Sequence, residues 1–360
     1  MDGERPATVV VFDFQTMMHR RQTGFSLVEL MVGLAVGLLL VGVSVSIYLS
    51  GRQTSRVVDT VGRLEESARF AVEMIEQDVR MAGFRGCNGA ANAPVNTLNT
   101  ASAFNNRFDQ TLFGYHASGS TWSPALDASV STLANPPIAG TDVFAIKRVY
   151  GNGAALTAPM TGTTGAVTVD ASAPFAQGDY VLVTDCEAQA VFQVSQMTST
   201  PTTGALAHAA TTTPSPGNAS ADLAHVFNTD ASAYRVVTKT YYIAKSVLNS
   251  KVKSLWSYSV PDYTGAGQAQ ELVEGVENLA LLFGEDTDGD QAANRYVTAD
   301  NVSNWNNVVS VRMQLLMATV QDNVSPVAQV YTFNGASATA ADRRIRSAFS
   351  SLITLRNRVM

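Results

Sequence analysis

Two groups of side chains in this chain have types and spacings that suit ion binding or covalent chemistry. Asp286, Asp288 and Asp290 occupy alternate positions of a DTDGD stretch, and Cys87 and Cys186 are the two cysteines of the 360 residues. Carboxylates at alternate positions supply the oxygen ligands that Ca²⁺ prefers. Two cysteines form a disulfide where the compartment is oxidising. The chemistry on offer is therefore cation binding and cross-linking.

The DTDGD stretch admits two interpretations. Asp286, Asp288 and Asp290 match positions 1, 3 and 5 of an EF-hand register, but Gln291 replaces the turn glycine and Val297 replaces the bidentate glutamate. A turn rich in Asp and Gly between two strands explains the same residues. Calcium is thus a weak candidate, and no other metal or cofactor is expected.

No enzymatic motif is found in the sequence. It contains no G-x-S-x-G, H-E-x-x-H, C-x-x-C or phosphate-binding loop. His116, His208 and His225 lie in Ala-, Ser- and Thr-rich surroundings, so each is expected to be a solvated loop residue. The sequence predicts no catalytic residue, and a membrane-anchored periplasmic enzyme is only a distant alternative.

An apolar run near the N-terminus must position part of the chain in a membrane. Residues 30–49 carry no charge, and a bilayer core needs about 20 such residues in a helix. Arg20 and Arg21 precede the run, so its N-terminal end is expected to stay in the cytoplasm. Glu29, at the start of the run, would cost roughly 2.5–3.5 kcal/mol at bilayer depth, which predicts a partner for it.

Two ordinary explanations leave part of this segment unexplained. A cleaved secretory signal has an apolar core of about 7–15 residues followed by small residues, and this core is too long. A plain signal anchor fits the length but gives no reason for Glu29. The predicted result is one membrane span with the C-terminal domain outside the cytoplasm.

Outside the cytoplasm, a disulfide between Cys87 and Cys186 would close a loop of about 100 residues and stabilise the fold by ~4–5 kcal/mol. Two free thiols are the alternative.

Residues 24–30, GFSLVEL, resemble the class III signal of type IV pilins and pseudopilins. The resemblance implies that a prepilin peptidase cleaves after Gly24 and methylates the new N-terminus, Phe25. It also implies that Glu29 pairs with the N-terminal amine of a neighbouring subunit during assembly in the bacterial inner membrane. Residues 1–24 would be the leader, of which 1–16 look like a mis-annotated start because Met17 or Met18 begins a leader of the usual kind.

The helix is expected to continue beyond the membrane. Residues 25–50 form the transmembrane and assembly half, where Gly33 and Gly37 allow close helix packing or are simply tolerated in lipid. Residues 51–83 form an amphipathic half that ends near Gly83. Its apolar residues recur every three or four positions and form one stripe that should pack on a sheet: Val57, Val61, Leu64, Ala68, Ala71, Ile75 and Val79.

Residues 84–360 are expected to form a periplasmic β-rich domain. Strand-like runs occur at 141–150, 166–170, 180–184, 190–196, 234–244, 252–260, 308–320, 328–333 and 347–356. The runs 234–244 and 252–260 are expected to form a hairpin. Residues 199–220 are expected to be an exposed loop, and 271–283 fit either a short helix or a strand. The predicted fold class is α+β: a pilin-like long N-terminal helix on an antiparallel sheet, with a large β-rich insertion or a second β subdomain within about 90–230.

A second resemblance lies near the C-terminus. Residues 271–279 (ELVEGVENL), 283–284 and 286–290, with the ending 349–357, resemble the PilW minor pilins and the related type II secretion pseudopilin J. This implies a minor pilin that primes type IV pilus assembly in the tip complex. Its partners would be other minor pilins, the major pilin, prepilin peptidase and a tip adhesin; the alternative is a J-type pseudopilin. The net charge of −6 argues against a nucleic-acid partner.

Overall fold

The computed structural model describes residues 24–86, 93–261 and 267–358. The chain divides at Ser55 into two compact units, so residues 24–55 belong to an N-terminal unit and the other described residues to a C-terminal unit. The predicted leader and Cys87 lie outside the described residues, apart from Gly24.

The described residues contain two α-helices and a series of strands. The helices are α1 (Leu27–Met81) and α2 (Ala128–Ser131). The strands in the first part of the chain are β1 (Val95–Asn96), β2 (Leu112–Ser118), β3 (Thr121–Ser123), β4 (Val143–Ala158), β5 (Val167–Asp170), β6 (Tyr180–Thr184), β7 (Gln189–Gln193), β8 (Gln196–Ser199) and β9 (Thr203–Ala207). The later strands are β10 (Ser232–Lys245), β11 (Lys253–Val260), β12 (Gln268–Glu274), β13 (Val276–Glu285), β14 (Arg295–Val297), β15 (Val308–Ala318), β16 (Val330–Phe333), β17 (Ala336–Thr339) and β18 (Arg346–Thr354).

In the N-terminal unit, the residues from Leu27 onward are helical because the run is rich in Leu and is capped at Ser26. The helix is long and apolar enough to cross a membrane, and no residue of its most apolar 18-residue stretch is buried within the chain. Its apolar side chains therefore have no cover from the described part of the molecule.

In the C-terminal unit, the remaining part of α1 buries one face. The expected stripe is confirmed from Leu64 onward, where Leu64, Ala68, Ala71, Ile75 and Val79 are buried, while Val57 and Val61 before them are half-buried. These residues share one apolar core with side chains of both β-sheets, among them Phe144, Ile243, Leu281 and Leu315. The helix ends at Met81, and Gly83 follows with φ +75°, a conformation that favours glycine.

The strands of the C-terminal unit form two main sheets. A twelve-stranded sheet runs in the order β1-β7-β6-β10-β4-β5-β9-β8, with β11, β12, β2 and β3 branching from it. β10 is its central strand because it pairs with β4, β6 and β11, and the expected β10–β11 hairpin is confirmed. A four-stranded antiparallel sheet has the order β14-β13-β15-β18, and β16 and β17 form a separate hairpin.

For two single segments the structure decides between the alternatives or corrects the expectation. Residues 271–283 are strand, split between β12 and β13 at Gly275, which has φ +84°. Residues 199–220 are not a fully exposed loop, because β9 lies within them and Leu206 and His208 are buried. Leu206 packs in a second apolar core with Val169, Phe192 and Phe227, which the low-complexity composition of the segment concealed.

The strands within 95–207 do not form a sheet of their own. They pair into the same sheet as β10, β11 and β12. The observed architecture is α+β, with a long N-terminal apolar helix and a large β-rich domain, and it supports a pilin-like arrangement.

Candidate assembly site

The start of α1 is a capped helix terminus. The backbone N–H of Glu29 donates to Oγ of Ser26 at 3.1 Å, and the N–H of Leu30 donates to the carbonyl of Ser26 at 3.1 Å. Ser26 is thus the N-cap, and Glu29 stands at the third helical position, as in an S-x-x-E capping box. A carboxylate in the first turn also interacts favourably with the positive end of the helix dipole.

The side chains around this terminus are presented outward. Phe25 is 81 % exposed, and Glu29 is exposed within a run of exposed apolar residues. A Cβ added at Gly33 or Gly37 would meet nothing within 4 Å. Gly24 and Phe25 therefore lie just before, and Glu29, Gly33 and Gly37 on, an apolar helical segment that the described part of the chain leaves largely uncovered.

A buried carboxylate on α1, which the sequence interpretation did not single out, fixes the helix to the large sheet. Asp78 forms ion pairs with Arg148 of β4 and with Lys239 of β10, and its Oδ2 lies 2.9 Å from Nζ of Lys239. The hydroxyl of Tyr241, also on β10, donates to the same oxygen. The signal was available: Asp78 lies three residues after Ile75, on the apolar face, where a charge needs a partner.

A buried lysine, Lys147, precedes Arg148 on β4. Nζ of Lys147 donates to the carbonyl of Phe104 at 2.6 Å and lies 4.9 Å from the centre of the Phe104 ring. Burial, with the nearby charge of Arg107, lowers the pKa of Lys147 to about 7. No carboxylate among the described residues forms an ion pair with it within 4.0 Å.

The DTDGD stretch forms a compact loop between β13 and β14. Ligand oxygens of Asp286, Asp288 and Asp290 lie within 4.8 Å of one another. The loop also bonds to itself: the N–H groups of Gly289 and Gln291 donate to Asp286 at 2.6 and 2.9 Å. These backbone hydrogen bonds, led by that from Gly289, lower the pKa of the Asp286 carboxyl.

The neighbouring Glu285 is not available to a cation at this loop. It is fully buried and accepts hydrogen bonds from the N–H of Asn304 at 3.0 Å and from the N–H and Oγ of Ser303 at 2.8 and 2.7 Å. Arg295 pairs with its other oxygen at 2.8 Å. The loop thus brings the carboxylates of Asp286, Asp288 and Asp290 together. Backbone N–H groups of the loop satisfy much of the hydrogen-bonding capacity of these carboxylates without an ion.

The expectation of solvated loop residues is wrong for His116, which lies on β2, and for His208, which is buried, whereas His225 lies in a loop and is half-buried. His116 lies on β2 with Nδ1 3.0 Å from Asp142, and His225 has Nε2 2.9 Å from Asp185. His208 is buried with Nε2 2.7 Å from the carbonyl of Gly165, and its burial lowers its pKa.

Both carboxylates that face a histidine also bind backbone N–H groups. Asp142 accepts from Ala117 and Leu281 at 2.8 Å each, and Asp185 accepts from Glu187 and Ala188 at 2.8 and 2.6 Å. These histidine–aspartate pairs therefore connect strands and turns. This structural role explains the two buried carboxylates without a catalytic one.

One cysteine of the expected disulfide, Cys87, lies outside the described residues. The two chain segments are in contact two residues before each cysteine, where Oγ1 of Thr184 donates to the carbonyl of Arg85 at 3.0 Å. The Arg85 guanidinium in turn donates to the carbonyl of Phe108 at 2.8 Å. The bridge between Cys87 and Cys186 remains a prediction that this contact supports.

Comparisons with known protein families match one segment near each end of the chain. Residues 19–45 match the prokaryotic N-terminal methylation motif, and this match and the uncovered apolar helix fit a pilin anchored in the inner membrane. Residues 240–357 match the Type IV Pilus-assembly protein W family. The two matches support a type IV pilus minor pilin of the PilW type, a structural protein. No curated protein and no solved structure matches the chain.

Proposed function

We propose that this protein is a minor pilin that primes type IV pilus assembly and takes its place in the complex at the pilus tip. The observation that carries the proposal is the segment from Phe25 onward: an exposed apolar helix whose one early charge, Glu29, has no side-chain partner among the described residues. Such a helix needs lipid or other helices around it. The match to the methylation motif supports the same conclusion.

Cleavage between Gly24 and Phe25 would convert this segment into an assembly element. The new amine of Phe25 would lie one residue before the helix cap at Ser26. In a fibre the amine of one subunit and Glu29 of the next would attract each other strongly, since apolar surroundings screen charges poorly. Any register that leaves either charge unpaired would be penalised, so the pair would set the register of the subunits.

The β-rich domain would be periplasmic and would contact other minor pilins, the major pilin and a tip adhesin. The match to the PilW family over residues 240–357 supports a pilus in preference to a secretion pseudopilus of the J kind. Gly33 and Gly37 would let neighbouring helices approach closely, because glycine has no side chain to hold the helices apart. The chain itself leaves both positions open.

Deletion of the gene followed by complementation tests this proposal. The full chain should restore surface pili, and antibody–gold particles should mark the ends of the fibres. The variant Gly24→Ala should accumulate as a longer precursor without a methylated N-terminus and should not restore pili. A matched control, Gly51→Ala, lies on the same helix with equally open surroundings and should be processed normally. Normal pili in the deletion strain would overturn the proposal.

A further inference from the structure

The turn between β10 and β11, residues 246–252, holds two apolar side chains in solvent. Leu248 is 88 % exposed and Val247 is 67 % exposed. Leu248 is thus more exposed than Phe25, at 81 %, which begins the uncovered apolar helix. Contiguous exposed apolar side chains rimmed by polar residues mark contacts with a protein or a membrane, and these two side chains are adjacent.

The exposure of these side chains is built into the turn. The N–H of Val247 donates to Glu271 at 3.0 Å, and Oγ of Ser246 donates to Glu274 at 2.6 Å. Within the turn, the N–H of Val252 donates to the carbonyl of Asn249 at 2.8 Å. Because the backbone is fixed on both sides, Val247 and Leu248 cannot fold back onto the domain without breaking these bonds.

Lysines flank the apolar pair. Lys245 and Lys251 are exposed on either side of it, and the guanidinium of Arg344 donates to the carbonyl of Lys251 at 3.3 Å. In the described part of the chain, neither lysine has a carboxylate within 4.0 Å. We call Lys245, Val247, Leu248 and Lys251 the basic turn.

The basic turn lies at the end of the C-terminal unit where α1 enters it. Glu274, which holds the turn, lines one groove with Asp59 and Thr60 of α1 and with Val320. The opposite end of the unit lies where α1 ends, and there Asn357 donates to the carbonyl of Ala82 at 3.1 Å. The basic turn is therefore at the end whose chain continues, through Ser55, into the apolar helix.

We propose that the basic turn is a lipid-binding surface that docks on an anionic bilayer while the subunit is held in the membrane. Apolar side chains of such surfaces enter about 5–10 Å into the boundary between headgroups and acyl chains, and lysines beside them contact anionic headgroups. The proposal rests on the membrane anchoring that is part of the proposed function. It explains both the fixed exposure of Leu248 and the unpaired lysines, which a buried protein contact would desolvate at a cost.

Depth-dependent fluorescence quenching tests the docking. The full chain is reconstituted in vesicles of phosphatidylcholine and phosphatidylglycerol, with a fluorescent amino acid in place of Leu248. The matched control places the same label at Leu352, a 56 % exposed leucine on β18, at the end of the unit near Glu76. Flotation of the vesicles with the protein checks the membrane span separately, so failure of the anchor is distinguished from failure of the docking.

The proposal predicts that doxyl-labelled lipids quench the label at 248 several-fold more than the label at 352. Each lysine should change the ratio of docked to undocked protein about fivefold. The difference should therefore fall when Lys245 and Lys251 are changed to Gln, or when phosphatidylglycerol is omitted. Equal, weak quenching at both positions would overturn the proposal. So would a label at 248 that is shielded from water but not quenched by lipid, since that result would show a protein partner or a second copy instead.

Discussion

The carboxylate of Asp78, on the long helix, lies 2.9 Å from the ammonium of Lys239 on the central strand of the large sheet. Arg148 and Tyr241 complete the surroundings of Asp78, which is only 3 % exposed. One buried anion thus connects α1 to two adjacent strands, β4 and β10. We infer that this network fixes the register of the helix on the sheet, which the apolar stripe alone would leave less defined.

Replacing Asp78 with Asn should destabilise the C-terminal unit strongly. The change leaves two half-buried cations without their buried anion, and loss of one partner of a buried pair typically costs about 3–5 kcal/mol. The measurement is the free energy of unfolding by denaturant in detergent solution. The control is Asp59→Asn on the same helix, whose exposed pair with Arg63 should be worth less than about 1 kcal/mol. Equal stability of the two variants would contradict the role of Asp78.

The buried Lys147 should make stability depend on pH. Its pKa is about 7 in the folded protein, against 10.5 for an unperturbed lysine. The unfolded chain therefore binds more protons between these values, so the penalty for burying the charge is complete below about pH 7 and is lost as the pH rises to about 10.5. Lys147→Met should raise the Tm at pH 7, and this gain should shrink by pH 10. A gain that does not vary with pH would contradict the prediction.

The predicted bridge between Cys87 and Cys186 should be detectable in the purified protein. Reduction should slow its migration on a non-reducing gel and lower the unfolding free energy by about 4–5 kcal/mol, because a closed loop of about 100 residues restricts the unfolded chain. Cys186→Ser should produce the same loss and make reductant ineffective. A protein whose two thiols both react with a thiol reagent under native conditions would contradict the bridge.

The DTDGD loop should keep its conformation without calcium. Its carboxylates already accept N–H groups of the loop, among them the N–H of Ala292 on Asp290 at 2.8 Å, and the twelfth position of the EF-hand register holds Val297. We expect calorimetric titration with CaCl₂ to give no binding heat and the Tm to be unchanged by EGTA. A rise in Tm with CaCl₂ that Asp288→Asn abolishes would establish a calcium site instead.

The sequence predicts those features that depend on periodicity and on local motifs. The apolar stripe of α1 and the β10–β11 hairpin follow from such patterns, and both are confirmed. The helix cap at Ser26 is also local, since the capping oxygen and the N–H that it accepts are three residues apart.

Features that depend on distant contacts escaped prediction. Asp78 and Lys239 are separated by 161 positions in the sequence, and no local pattern connects them. His208 lies in an Ala- and Thr-rich stretch typical of a loop, yet it is buried and packs against Phe192 of β7, with ring centres 4.8 Å apart. Long-range pairing of strands thus decided which polar residues became buried.

The claim that α1 assembles the subunit into a pilus through Glu29 is tested most directly by Glu29→Ala in a strain that lacks the native gene. The variant should be cleaved, methylated and inserted in the membrane as usual. Loss of a pairing worth about 1.4 kcal/mol would lower assembly about tenfold, so the number of surface pili per cell, counted by electron microscopy, should fall at least that far. The control, Glu65→Ala, changes an exposed glutamate of the same helix and should leave piliation normal. Normal pili in the Glu29→Ala strain would contradict the account.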